Sequence, residues 1–391
     1  MNYLASPYGS GLIPLTTEVK ATRGQTRINN LRLALQIIYR DQPASRAHVA
    51  RESALTPATA SDLVDELIAM RLAQEVGTGP SAGGKPPTLV APRPDGRTII
   101  ALDLSGEDFI GAQVNLVSEV VATMSRPAAT GTDALAIVTA MISELSQDLP
   151  GPLLGLGIGT PGVVDPEHGI VTSVNLKWDH VDVVAAARTV TEAPIHVIND
   201  AHAAAVHEYA VIVPRVPNIA LVEIGTGIGS GYVVGGHLYR GDLGATGEIG
   251  HIRQFDDTRP CSCGRSGCLE AVASMKAIIE ASGTNHPVTV EGVKELAAEA
   301  GAEPHIARAA VDLGQALAAA VSVLGITHIS LWGPVAGLGE SFRSQVEDEI
   351  RGRVLPIDTD QIHVRYATAG QDAVILGAAG LVLSAELGVV W

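Results

Sequence analysis

Aromatic residues make up only 3% of the 391-residue chain, so Ala, Val, Leu and Gly must carry the burial of any core. The apolar share of 46% is ample for that. No unbroken run of about 18 apolar residues occurs, which excludes an obvious membrane-spanning helix. The first twenty residues lack the basic start and apolar core of a signal peptide, so a cytoplasmic protein with no membrane partner is expected. Cysteine is scarcer still, with three, all within residues 261–268. Three cysteines with no spare pair do not make a disulfide framework and fit a reducing compartment. Base is short as well: 26 Lys and Arg stand against 42 Asp and Glu, for a net charge of −16. A polyanion cannot then be held over the whole surface.

The shortage of base is not uniform. Residues 1–97 carry 11 basic and 8 acidic groups, whereas the rest of the chain carries 15 and 34. From Lys20 to Ala60 seven Lys or Arg face only Asp41 and Glu52. A basic head on an acidic body implies that the head alone meets a polyanion. The length calls for two or three domains.

Residues 1–24 have no periodicity and read as a flexible arm. Over 29–39, Leu31, Leu33, Ala34, Leu35, Ile37 and Ile38 form one broad apolar face of a helix. Ser45 caps a second helix to about Arg51. Thr56 followed by Pro57 opens a third, running to Met70 with Ala60, Leu63, Val64, Leu67 and Ile68 inward. Two short apolar runs, 72–76 and 88–90, flank a tip rich in glycine and proline that holds Lys85, and read as a two-stranded wing. Three helices and a wing over 25–92 give a winged helix-turn-helix. Its third helix would offer Thr56, Thr59, Ser61 and Asp62 to the major groove, with Arg46, Arg51 and Lys85 on phosphate or in the minor groove. The plainer alternative is a three-helix accessory or dimerisation domain, because the third helix has no Arg or Lys of its own. The turn Arg93-Pro94-Asp95-Gly96 marks the boundary with the body.

Within the body, residues 247–270 read GEIGHIRQFDDTRPCSCGRSGCLE. His251, Cys261, Cys263 and Cys268 supply one imidazole and three thiolates, a full tetrahedral set for Zn²⁺. With four ligands and no open position the site is structural, over a loop spanning 251–268. Chance clustering is the alternative. Glu248 and Glu270 flank the loop without being needed as ligands, and are expected to face a bound polar molecule.

Residues 98–116 and 219–234 look alike, each a strand, a turn and a returning strand. The repeat implies two related lobes with a cleft for a small ligand. The second turn, GTGIGSG with Gly225, Thr226, Gly227 and Gly229, has the freedom to aim N–H groups at a phosphate. The first turn carries Glu107 and Asp108, which oppose one. The strand 195–200 ends in Asn199 and Asp200; Asp200 could accept a proton from a hydroxyl and Asn199 bond a neighbouring one, or the pair simply caps the following helix.

Taken together, GEIGHI, CSCGRSGCLE, GIGTPGVVD at 157–165, INDAHAAAVHE at 198–208 and IGTGIGSG at 224–231 resemble the ROK family of repressors, open reading frames and sugar kinases. The resemblance covers 98–391, and with the head nearly the whole chain. It implies an α/β, two-lobed actin/hexokinase-like (RNase H-like) sugar-kinase fold behind the winged-helix domain. It also implies zinc on His251 and the three cysteines, and a sugar site lined by Gly162, Asn175, Asn199, Asp200, Glu248, His251 and Glu270. Asp200 holds the place of the kinases' catalytic base, and His251 would bind zinc through one nitrogen and touch sugar through the other. Two positions depart from the kinases: the phosphate turn reads Asp103-Leu104-Ser105-Gly106-Glu107, and a Gly-Gly pair is replaced by Gly333-Pro334. Both favour the family's regulators.

The expectation is a sugar-responsive regulator, a repressor, with no catalytic residue in use. A homodimer or homotetramer would set two heads on double-stranded operator DNA, with a sugar or sugar phosphate as effector. The rivals are an ATP-dependent kinase of a hexose or amino sugar, with Asp200 as base, and a sugar-binding protein whose head never touches DNA.

Overall fold

The computed structural model describes residues 12–14, 23–80, 86–165, 167–254 and 257–390. The chain divides into two compact units, Met1–Asp200 with Val374–Trp391, and Ala201–Ala373. Of the arm expected over 1–24, residues 1–11 and 15–22 lie outside the described residues. Leu12–Pro14 is extended, and a helix already begins at Arg23.

The head follows its local signals closely. Helix Arg23–Arg40 begins earlier than its apolar face suggests. Helix Arg46–Ser53 is capped by the Ser45 hydroxyl, which accepts the His48 N–H. Helix Pro57–Ala69 is capped by Thr56, which accepts the Thr59 N–H. Strands Ala73–Thr78 and Thr88–Pro92 form the antiparallel wing, and Ala44–Ser45 adds a short third strand against Val90 and Leu89. The boundary at 93–96 is no loose linker. Gly96 packs so tightly that a Cβ there would lie 1.8 Å from the Arg71 carbonyl oxygen. The buried Tyr39 hydroxyl donates to the Leu116 carbonyl at 2.7 Å.

The rest of the first unit is a sheet ordered Ile195–Asn199, Leu153–Thr160, Thr98–Asp103, Asp108–Asn115, Val120–Pro127. The first three strands run parallel and the last three form an antiparallel meander. Helix Gly131–Leu145 buries Val138, Met141 and Ile142 in the core beside Ile100, Leu102 and Phe109. Helix Ala373–Leu387, which closes the chain, returns to this unit.

The second unit repeats the pattern with strands His363–Tyr366, His328–Trp332, Ile219–Ile224, Ile228–Val234 and His237–Tyr239. Again the parallel part is followed by a meander. The two related lobes expected from the sequence are therefore present, each built on the same strand order. Helices Glu303–Leu324 and Gly339–Arg353 supply Leu313, Leu317, Phe342 and Val346 to its core. Among the described residues, Glu303–Leu324 is the one helix long and apolar enough to cross a membrane, and half of it is buried inside the protein. Glu208, fully buried, is held by the Ser330 hydroxyl, the Ala369 N–H and the Arg365 guanidinium.

The glycine turn is shorter than its sequence suggests. Ile224 pairs with Ile228, so only 225–227 form the loop, and Gly229 lies in the returning strand opposite Glu223. Gly229 and Gly231 are there to admit a helix. A Cβ at Gly231 would stand 2.6 Å from the Ala205 Cβ and 2.7 Å from the Ala201 carbonyl oxygen. This half of the motif serves packing.

Candidate functional site

The second unit gathers the cysteines. From Cys261 the chain makes a tight turn in which the Cys261 N–H donates to the Arg265 carbonyl and the Gly264 N–H to the Cys261 carbonyl. Gly264 and Gly267 take φ of +85° and +77°, values a side chain would strain. The turn brings back Cys268, which bridges to Arg253 beside the short helical turn Ile249–His251. As a result Cys261, Cys263, Cys268 and His251 converge, their ligand atoms all within 4.8 Å of one another. Cys263 Sγ lies 3.7 Å from Cys268 Sγ, and Cys261 Sγ 3.6 Å from His251 Nδ1.

Those separations test the fit of a metal. Zn–S bonds of about 2.3 Å and Zn–N bonds of about 2.0–2.1 Å at tetrahedral angles place S···S at about 3.8 Å and N···S at about 3.5 Å. Both edges match. A disulfide, at about 2.05 Å, is excluded for the 3.7 Å pair. The donor set is that of a closed site, and Nδ1 is the imidazole atom that faces the sulfurs.

The opposite imidazole atom, Nε2, lies 3.7 Å from the Glu248 carboxylate. Burial raises the Glu248 carboxyl above its ordinary range, with His251 drawing it back and the Glu270 charge adding to the rise. Glu270 accepts the Ile228 N–H at 3.2 Å and the Ser262 hydroxyl at 3.2 Å. A Cβ on Gly227 would meet the Glu270 carboxylate at 2.6 Å. The Met275 N–H donates to the Gly225 carbonyl. Thus the cysteine loop is fastened onto the glycine turn, and Glu248, His251 and Glu270 form one polar cluster. Ser262 was invisible in the sequence as anything but a spacer between two cysteines.

In the first unit, Asn199 donates through Nδ2 to the Gly162 carbonyl at 3.1 Å. Gly162 has φ of +99°, and a Cβ there would lie 2.4 Å from the Thr172 carbonyl oxygen. Asp200 opens the helix Asp200–Val211. Asn175 is exposed on the turn between strands Ile170–Ser173 and Trp178–Asp182. At the altered phosphate turn, Asp103 Oδ1 accepts both the Ser105 N–H at 2.9 Å and the Ser105 hydroxyl at 2.6 Å.

In the head, Thr56 and Asp62 are exposed while Thr59 and Ser61 are half-buried at the start of helix Pro57–Ala69. Arg51 is exposed, with Nη2 2.6 Å from His48 Nδ1. Arg46 is otherwise placed. Its guanidinium lies 2.7 Å from Asp65 and 3.1 Å from Glu75, and donates to the Ser61 carbonyl at 3.2 Å. It binds the second helix to the third and to the wing, a use its position in the sequence does not reveal. Lys85 falls outside the described residues.

These features can be set beside known proteins. The model of the ROK family matches residues 99–385. The xylose repressor of Caldicellulosiruptor bescii is 28% identical over 386 residues, covering 92% of this chain and 96% of that protein. The glucokinase of Halalkalibacterium halodurans is 29% identical but covers 74% of this chain and 96% of its own. Among solved structures, a ROK-family transcriptional regulator described as a homologue of the E. coli Mlc protein superposes with a TM-score of 0.79. It is 25% identical, and the match covers 93% of this chain and 97% of that one. With the duplicated sheet, the His-Cys₃ loop and the sequence match in agreement, the chain belongs to the ROK family.

Proposed function

We propose that this protein is a sugar-responsive transcriptional repressor. Residues 25–92 bind double-stranded operator DNA, and residues 98–391 bind a sugar or sugar phosphate. The observation that carries the reading is the capped three-helix head with its wing, fused to a ROK body. The same two-part span aligns with the xylose repressor almost end to end, whereas the glucokinase matches about three quarters of the chain. The third helix would enter the major groove through Thr56, Thr59, Ser61 and Asp62. Arg51 and Lys85 would serve phosphates, and Arg46 would hold the helix in place. Two heads in a homodimer, or a homotetramer, would match a pseudo-palindromic site in the cytoplasm.

In the body, Glu248, His251 and Glu270 supply acceptors suited to sugar hydroxyls, and Asn199, Asp200, Gly162 and Asn175 belong to the same assignment. Zinc on His251, Cys261, Cys263 and Cys268 would fix the imidazole that stands beside Glu248. It would supply structure and no catalysis. A kinase with Asp200 as base is disfavoured at two points. The Asp103 carboxylate is occupied by Ser105, with Glu107 two residues further along the same turn, and the Ile228 N–H just after the glycine turn is already given to Glu270.

The test is a titration of the purified protein with DNA from upstream of its own gene, with and without sugars. D-xylose comes first because relatives are named for it. Tight binding that one sugar weakens supports the reading. No specific binding, together with Asp200-dependent ATP turnover on any sugar, would replace it by the kinase. The metal is checked separately. One zinc per chain is expected by elemental analysis, and Cys263→Ser should lose it together with the sugar response.

A further inference from the structure

The strand that ends in Asn199 also carries His196. His196 Nε2 lies 2.9 Å from Oε1 of Glu386, a buried carboxylate near the end of helix Ala373–Leu387. A carboxylate this deep needs its partner, because burial without one is costly. The neighbouring strand Leu153–Thr160 shows why the helix lies so close. Side chains at Gly155, Gly157 and Gly159 would collide with Val382, the Ala378 carbonyl and Val374 at 2.9, 2.4 and 2.3 Å. That strand is in register with the first, Gly157 opposite His196 and Thr160 opposite Asn199. The helix therefore follows these two strands as one body.

Past the helix the chain turns at Gly388, with φ of +70°, where a Cβ would stand 2.7 Å from the Arg32 side chain. Val390 then reaches helix Arg23–Arg40 of the head. Gln36 Nε2 donates to the Val390 carbonyl at 2.7 Å, and Gln36 Oε1 accepts the Val390 N–H at 2.8 Å. One side-chain amide satisfied on both sides by one backbone residue fixes direction as well as distance.

We infer that His196, Glu386 and Gln36 are positioning residues of a relay joining the strand that ends in Asn199, just before Asp200, to the head. The inference rests on the sugar and DNA assignments proposed above. A ligand that draws on Asn199 or Asp200 shifts the strand end. His196 and the glycine-lined contact pass the shift to the last helix, and the Val390 clamp turns it into a bias on the head. The two ends are one contiguous set of hydrogen bonds and close packing, which is the physical requirement for such coupling.

Hydrogen exchange on the full chain, followed by mass spectrometry, tests the relay without needing to know the ligand. The variants are Glu386→Met and Gln36→Met, each close in volume to the native residue and unable to make its hydrogen bonds. Glu386→Met should speed exchange across 23–40 by tenfold or more. Gln36→Met, broken at the other end, should speed exchange across 195–199. Should Glu386→Met fail to fold, Gln36→Met decides alone. Faster exchange confined to residues touching each substituted side chain would overturn the relay. With D-xylose or D-glucose added to the wild type, any protection at 195–200 must be accompanied by a change at 385–390 and 23–40. Protection at the strand end that leaves both unchanged would also overturn it. If neither sugar protects the strand end, the sugar assignment is what fails, and the two variants still decide the relay.

Discussion

His202 shows how a single residue sets the conditions under which the body holds together. Its ring is buried, with Nε2 2.7 Å from the Thr246 carbonyl oxygen just before the loop of Glu248. Burial pushes its pKa down to about 4, the Thr246 bond opposing and the nearby Arg240 charge adding to the fall. The neutral ring donates through Nε2 to the carbonyl. A histidine whose folded pKa lies below its unfolded value of about 6.5 takes up protons on unfolding. Its contribution is therefore full above pH 6.5 and declines as pH falls toward 4. From these two values, wild type should lose about 2–3 kcal/mol more than His202→Gln between pH 7 and pH 4.5. Urea unfolding at the two pH values measures it, and equal losses in the two proteins would show that the ring is not the group responsible.

At the scale of elements, glycine decides which helix lies against which strand. Gly157 admits the backbone of the last helix, and a Cβ there would be 2.4 Å from the Ala378 carbonyl oxygen. Neither backbone can yield as a flexible side chain would, so Gly157→Ala should cost about 1–3 kcal/mol or more. A shift in the thermal midpoint reads it, and an unchanged midpoint would mean that the helix can slide. Thr56→Ala, by contrast, removes a cap whose loss costs about 1 kcal/mol and leaves packing untouched. The contrast explains what was legible in the sequence. Caps, helix faces and the strand-turn-strand repeat are local, so Ser45, Thr56 and Thr98–Asp103 could be placed from their neighbours alone. The one histidine and three cysteines that could hold a metal share one short stretch, and their meeting could be anticipated too. Partners remote in the chain could not be read. Nothing near Arg46 announces Asp65 and Glu75, nothing near Gln36 announces Val390, and the spacing of Gly229 and Gly231 suits a phosphate turn as well as a helix contact.

For the whole molecule, the charge of the head has to be counted after pairing. The sequence makes residues 1–97 basic, yet much of that base is spent within the head. Arg27 pairs with Glu66, Arg40 with Asp41 and Glu52, Arg46 with Asp65 and Glu75, and Arg71 and Arg93 with Asp95. These pairs also neutralise two of the acids on helix Pro57–Ala69, which would otherwise repel phosphate. The consequence concerns salt. Each phosphate neutralised contributes a slope of about −0.9 to the fall of log affinity with log salt. If Arg51 and Lys85 each serve one phosphate in each of two heads, a dimer on its operator should show a total slope of about −4. Lys85→Ala, one charge in each head, should flatten that slope by about 2 and weaken all DNA sequences alike. If the Thr59 hydroxyl meets base edges as proposed, Thr59→Val should instead reduce the preference for the operator and leave the slope where it was, because a neutral base contact releases no counterion. Fluorescence anisotropy over a salt series separates the two. A wild-type slope steeper than about −8 would mean that the paired arginines abandon their acids for phosphate on binding, and that the head rearranges when it meets DNA.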